Sequence, residues 1–129
     1  MIPAREVRFV LVVDDLEAAV HLYRDVLGLE VLQELEEGRG RGIILKVPAA
    51  TMEVVDPEHE GMVDEIEVGR RVGERLRIAV RVDDLSEAAR LLVESRAAAM
   101  AGPVETPWGD RNQRFRARDG LQLTLFQRV

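Results

Sequence analysis

Two histidines, His21 and His59, are the only imidazoles in a chain of 129 residues that contains no cysteine. Disulfides, thiol nucleophiles and zinc–thiolate sites are therefore excluded together, and any metal would have to be held by His, Asp or Glu. His59 lies in the carboxylate-rich stretch Asp56–Gly61 (DPEHEG), which could collect a divalent ion, but no ordered ligand spacing of the HExxH or calcium-loop type accompanies it. His21 falls between Glu17 and Asp25 at four-residue intervals, the pattern of a solvated, salt-bridged helix face. Ser86 and Ser95 share one predicted helix with no histidine near them in sequence, so no nucleophile–base pair is visible. The glycine-rich Glu37–Gly42 (EGRGRG) runs into the strand-like IILKV rather than into a helix, which fits a hairpin better than a phosphate loop. Trp108, the single tryptophan, sits in the Pro/Gly-bounded loop TPWGD and reads most simply as a loop anchor or dimer contact.

The carboxylate doublets Asp14–Asp15 and Asp83–Asp84 belong to two nearly identical phrases, VDDLEAA at Val13–Ala19 and VDDLSEAA at Val82–Ala89. Each phrase follows a run of alternating apolar residues, so each marks a strand ending in an aspartate that caps the next helix. At an offset of 69, Arg8 aligns with Arg77 and the half-chains read as copies. The first predicted helix places Leu16, Ala19, Val20, Tyr23, Val26 and Leu27 on one stripe, with Gly28 as its stop; the second turns Leu85, Ala88, Ala89 and Leu92 inward. Strands are expected near Glu30–Leu35, Gly42–Val47 and Thr51–Val55 in the first half. In the second they are expected near Met100–Glu105, Asn112–Arg118 and Leu121–Gln127, with Arg118–Asp119–Gly120 as the last turn. Both halves thus follow β-α-β-β-β. Alternation gives the first strand an apolar face of Val7, Phe9, Leu11 and Val13, and leaves Arg8, Val10 and Val12 on the other. One face must pack on a helix, while the mixed one suits a half-wet cavity lining.

With 47% hydrophobic residues and a net charge of −6, one compact soluble unit is expected. Nothing suggests a nucleic-acid partner, a membrane partner or a signal segment, and a cytoplasmic location is the plain expectation.

The strand leading into VDDLEAA and LYRDVLGLEV, the TMEVVDP strand and the C-terminal FRARDGLQLTLFQ resemble the vicinal oxygen chelate superfamily. That group includes glyoxalase I, extradiol dioxygenases, fosfomycin resistance enzymes and bleomycin-binding resistance proteins. The resemblance implies an α+β domain over residues 1–129: module one 5–56, linker 57–74 and module two 75–129. The two modules would form a curved, mostly antiparallel eight-stranded sheet around a cavity, with helices outside.

Metal-dependent members hold a divalent cation on His or Glu side chains from the first, fourth, fifth and eighth strands. Carried over by position, those places hold Arg8, Glu53, Arg77 and Thr124, of which only Glu53 is a ligand type. Guanidinium has donors only and stays protonated, so it repels a cation. The expectation is a site with no metal and no cofactor. Arg8, Glu53 and Arg77 would sum to one positive charge, and either bind an anionic group of a ligand or close as an ion network in a vestigial metal cavity. In drug-binding relatives an aromatic at the cavity mouth can stack on a planar ligand, the functional alternative for Trp108. The resemblance therefore implies a metal-independent small-molecule-binding protein that sequesters a drug or metabolite, working as a homodimer, with Arg8, Glu53, Arg77, Trp108 and Thr124 as ligand-binding candidates and no catalytic residue assigned. A lyase, isomerase or dioxygenase-like enzyme with a shifted metal site is the main alternative, and a closed scaffold the third.

Overall fold

The computed structural model describes residues 1–26, 28–48, 50–94, 96–117 and 120–129, the side chains of 22 and 26 excepted. Leu27, Ser95 and the first two residues of the expected Arg118–Gly120 turn lie outside that description. The strands are β1 (Glu6–Val12), β2 (Val31–Leu35), β3 (Gly42–Val47), β4 (Ala50–Val55), β5 (Leu76–Arg81), β6 (Ala98–Ala99), β7 (Val104–Glu105), β8 (Asp110–Arg116) and β9 (Gln122–Arg128). The helices are α1 (Leu16–Val20), continued by a π-helical segment His21–Val26, α2 (Pro57–Val68) and α3 (Leu85–Glu94).

All nine strands join one sheet in the order β2-β3-β4-β1-β5-β9-β8-β6, with β7 also on β8. The expected eight become nine because β7 keeps only the end of the run expected near Met100–Glu105 and a further short strand, β6, forms before it at Ala98–Ala99; Gly102–Pro103 lies between the two, and both are antiparallel to β8. Among the described residues only β1–β4 and β5–β9 are parallel. Each module therefore places its first strand beside its last, and the two first strands meet antiparallel at the centre, Arg8 opposite Ala79 and Val10 opposite Arg77. The two pairs exchange under the 69-residue offset, so an internal two-fold runs between β1 and β5.

The repeated phrases act as fold punctuation. Asp15 Oδ1 accepts from the Ala18 amide at 3.0 Å and Asp84 Oδ1 from the Glu87 amide at 3.1 Å, so the second aspartate of each doublet caps its helix. The first aspartate of each pairs across the seam instead: Arg75 Nη2 reaches Asp14 at 2.9 Å, and Arg5 Nη2 lies 2.6 Å from Asp83.

Alternation sorts the side chains of the flanking strands as expected, but the apolar face of the central pair β1–β5 is not covered by a helix, Phe9 and Leu76 being 40% and 45% exposed. Ile43, Leu45 and Val54 pack with Leu16, Ala19, Val20 and Tyr23 of the first helical segment. Leu125 and Phe115 pack with Leu85 and Ala88 of α3. These two clusters occupy the convex face, where α1 and α3 lie.

The connecting segment departs from the expected pattern, being helix α2 on the opposite face of the sheet. Its start follows from local rules: Asp56 accepts from the His59 amide at 2.8 Å, Pro57 occupies the first turn, and Gly69 closes the end. The glycine-rich hairpin packs on that start, with the Arg41 amide donating to Asp56 Oδ2 at 2.9 Å. Gly40 has φ +68°, and a Cβ there would overlap Asp56 and the His59 backbone. Among the described residues no helix is long and apolar enough to cross a membrane.

Candidate functional site

A cleft of about 380 Å³ opens between α2, the concave face of the sheet and the β2–β3 hairpin. Arg8, Glu53, Arg77, Thr124 and Trp108 all line it. Register explains why four of these converge. Glu53 on β4 stands opposite Val10, and Thr124 on β9 opposite Ala79, so both share the face of Arg8 and Arg77. Trp108 reaches the same cleft from the loop before β8, with 39% of its surface exposed.

The arginines do not form the single Arg–Glu–Arg group that position alone suggests. Arg8 Nη1 donates to Glu53 at 3.2 Å, Nη2 to Glu6 at 3.0 Å and Nε to Thr51 at 3.1 Å, while its guanidinium sits 5.3 Å from the Phe126 ring centre. Thr51 Oγ1 in turn donates a hydrogen bond to Glu6 at 2.6 Å. Arg77 pairs with Glu60 of α2 rather than with Glu53: Nε and Nη2 donate to the two carboxylate oxygens at 2.9 and 3.4 Å, and Nη1 donates to Thr124 Oγ1 at 3.2 Å. Thr124 Oγ1 in turn donates to Glu67 at 2.8 Å.

Behind Arg77 lies a third guanidinium, fully buried Arg114 of β8. It donates to Asp64 at 2.6 Å, Glu67 at 3.0 Å and Gln122 at 3.1 Å, and Nη2 approaches Glu60 at 3.8 Å. Three guanidiniums thus meet five carboxylates, Glu6, Glu53, Glu60, Asp64 and Glu67, and the net positive charge expected of the site is absent. The physical reason is α2, whose docked face carries Glu60, Asp64 and Glu67.

Charge states follow from these contacts. Burial works against Arg77, but the charges of Glu60 and Glu67, the Glu60 hydrogen bond and the charge of Glu53 outweigh it and hold its pKa above that of an ordinary arginine. Burial pushes Glu60 above the ordinary carboxyl range, Arg77 and Arg114 offsetting part of the rise. Asp64 is likewise raised by burial, yet the Val72 amide, Arg114 and the Gly73 amide bring it below its ordinary value. On the cleft wall Asp110 is pushed up by burial, with Arg128 and Arg8 opposing.

Metal ligation does not suit this donor set. Arg8 and Arg77, which the resemblance aligned with two ligands, are guanidiniums held by carboxylates, and no group of three or more His, Asp or Glu among the described residues is placed to hold an ion. His21 is exposed and 3.4 Å from Asp25, as its helix position suggests.

His59, expected in a carboxylate-rich stretch without ordered ligand spacing, is buried against the cleft. It is 5% exposed, lines the cleft, and its Nδ1 has no partner. Asn112 is 6% exposed in the wall formed by β8; Nδ2 donates to Glu67 at 3.1 Å and Oδ1 is unpartnered. Sequence reasoning did not single out Glu60, Asp64, Glu67, Asn112 or Arg114. One signal existed: Glu60, Asp64 and Glu67 recur at i, i+4 and i+7, one helical stripe, bounded by Asp56–Pro57 and Gly69.

The family model for the glyoxalase/bleomycin resistance protein/dioxygenase superfamily matches residues 6–125. No curated protein matches the sequence. Methylmalonyl-CoA epimerase from Mycobacterium tuberculosis shares the fold with a TM-score of 0.71 at 22% identity, over 99% of this chain and 89% of that one. Methylmalonyl-CoA epimerase from Streptomyces coelicolor gives 0.70 at 19%, over 100% and 99%. A glyoxalase/bleomycin resistance protein/dioxygenase superfamily member from Vibrio splendidus gives 0.68 at 16%, over 95% and 97%. At such identities the likeness concerns the fold.

Proposed function

Since the chain belongs to the glyoxalase/bleomycin resistance protein/dioxygenase superfamily, we propose that it is a small-molecule-binding member whose cleft works without a divalent ion. The observation that carries this reading is the pair Arg8 and Arg77 standing where metal-dependent relatives have ligands, each neutralised by carboxylates while about 380 Å³ beside them stays open. An ion network that filled the cavity would support the closed scaffold instead. The cleft combines Phe126, Ile44 and Ala79 with the half-exposed ring of Trp108 at its edge, a surface suited to a flat, partly apolar compound held for sequestration. Arg8, Glu53, Arg77 and Thr124 would shape the pocket and fix its polarity, with Trp108 as the contact most open to the ligand.

Homodimerisation belongs to the same reading. Phe9 and Leu76, 40% and 45% exposed, lie on the convex side of the central β1–β5 pair. An apolar patch centred on an internal two-fold is suited to a second copy of itself.

The enzymatic alternative draws support from the epimerase-like fold and from the buried imidazole of His59 in the cleft. Elemental analysis and ligand titration decide between the two. The binding reading expects no stoichiometric nickel, zinc, manganese or iron after purification, and quenching of the single tryptophan by flat organic compounds that fit the cleft. Stoichiometric metal would overturn the metal-independent site.

A further inference from the structure

A second pocket lies apart from α2, at the end of the central strand pair where β5 runs into α3. Its volume is about 300 Å³, and its lining includes Arg5, Arg81 and Arg128, with Asp83 as the one acidic residue. The pocket is thus basic on a chain of net charge −6. Asp83 is taken by Arg5, whose Nε and Nη2 lie 2.8 and 2.6 Å from Oδ2. Arg81 is half-buried, and among the described contacts its guanidinium forms no hydrogen bond; Glu6 and Asp83 act on it only at longer range. Arg128 is exposed and lies 4.0 Å from Glu6 Oε1, with Asp110 at longer range, while Glu6 Oε2 is held by Arg8 at 3.0 Å and Thr51 at 2.6 Å. Two guanidiniums therefore line the pocket with donors to spare. The internal two-fold supplies a control. Val82 N donates to Phe126 O at 3.0 Å as Val13 N does to Val55 O at 3.1 Å, so the other end of the seam is the same place in module one. There Glu74, Val12 and Asp56 stand for Arg5, Arg81 and Gln127, and Arg75 is held by Asp14 at 2.9 Å. The fold does not require three arginines at this place, and the carboxylates that surround its copy are missing.

We infer that this pocket is an oxyanion site that takes a phosphate-type group on the free N–H edges of Arg81 and Arg128, with Arg5 flanking it. Guanidinium presents parallel N–H donors that match two oxygens of one anion, and a doubly charged group answers two cations that no carboxylate holds closely. A cation would be repelled there, and an uncharged polar group would leave the charge unanswered. The site does not depend on the binding reading of the cleft. Arg128 nevertheless lines both spaces, so the same chemistry has two sources: free phosphate, or the phosphorylated end of a compound whose body lies in the cleft.

Inorganic phosphate titrated at mildly alkaline pH and fixed ionic strength, followed by backbone amide NMR, tests the site. Shifts centred on Arg81, Val82 and Arg128 are expected, and sodium chloride at the same ionic strength should not reproduce them. Arg81→Gln should weaken phosphate by about tenfold, and Asp83→Asn, which removes the competing carboxylate, should tighten it. Arg75→Gln removes the same unit of charge about 20 Å away, at the start of β5, beyond the screening length, and should leave phosphate binding unchanged. The amide spectrum of each variant without phosphate checks that it folds. Phenyl phosphate separates the two sources: tighter binding than phosphate with added shifts at Phe126 and Trp108 assigns the pocket to the end of a cleft ligand, and phosphate-like binding confined to the pocket assigns it to the free anion. Shifts that chloride reproduces, or phosphate binding that Arg81→Gln and Arg75→Gln affect equally, would overturn the site and leave only a diffuse positive field. Absence of shifts with both phosphates would also overturn it, while the quenching of Trp108 by flat compounds would still decide the cleft reading separately.

Discussion

Arg77 carries its charge where only 4% of the residue meets solvent, and Glu60, at 3% exposure, is its counter-ion. Breaking such a pair leaves one charge buried without compensation, which costs far more than the pair's net contribution to stability. Arg77→Met should therefore lower the unfolding free energy by about 3–5 kcal/mol, and adding Glu60→Gln should restore much of it. Urea titration of the two variants checks this; equal stability for the single and double variants would mean that the pair is not coupled. Acid titration reads the same network with two signs. Glu60 is raised above its ordinary 4.5, so the folded protein takes up this proton more readily than the unfolded chain. Its contribution is fully present in acid and diminishes as pH rises through the folded value. Asp64 and Glu6 are lowered from 3.8 and 4.5, so their contribution is present above those values and is lost as pH falls through their lower folded ones. The melting temperature should hold or rise slightly on mild acidification and drop below about pH 4. Calorimetry between neutral pH and pH 3 should show Glu60→Gln without the early gain and Asp64→Asn with a shallower fall.

At the scale of elements, α2 decides what the cleft is. Its docked face contains His59, Glu60, Asp64 and Glu67, with Val63 as the buried large aliphatic residue, so ion pairs and caps anchor it more than apolar burial does. Asp56 serves both ends of that anchorage, accepting from the His59 amide to start the helix and from the Arg41 amide to hold the hairpin. Asp56→Ala removes both bonds and should cost about 2 kcal/mol, roughly one for the cap and one for the hairpin contact. Asp56→Asn retains the cap and should lose about half as much. Hydrogen exchange of the α2 amides is the direct measurement, and unchanged protection in Asp56→Ala would disprove the anchoring role. The acidic face also explains which elements were legible beforehand. Strand alternation identified the two faces of β1, β5 and β9, and the repeated phrase located α1 and α3, because apolar periodicity is what reveals an element that buries apolar residues. A helix that buries carboxylates shows its period in charge, and Asp56–Gly73 therefore read as a connection. The positions of Arg8, Glu53, Arg77 and Thr124 could be inferred from the repeat and the resemblance. Their partners could not, since Glu60 and Glu67 meet Arg77 and Thr124 only through the docking of α2.

For the molecule as a whole, the 69-residue repeat imposes a symmetry that the two faces of the sheet use differently. On the concave face α2 has no counterpart among the described residues, so the symmetry of Arg8 and Arg77 is broken and each acquires different carboxylates. On the convex face nothing among the described residues crosses the axis. Phe9 faces Ile78 and Leu11 faces Leu76 across the seam, while the cores under α1 and α3 lie to either side. Exposing two large apolar side chains on a rigid central strand pair is unfavourable in water, and pairing with the same patch of a second chain buries them without requiring a new surface. The proposed homodimer should therefore form back to back through β1 and β5. Sedimentation of the wild-type protein should give twice the 14.5 kDa chain mass, and Phe9→Glu should return it to the single-chain mass with its Trp108 response to ligand retained, because the cleft lies on the other face. A wild-type monomer would remove the dimer; a Phe9→Glu protein that stays dimeric would move the interface to another surface, with the most exposed strand edge, β2, as the next place to look.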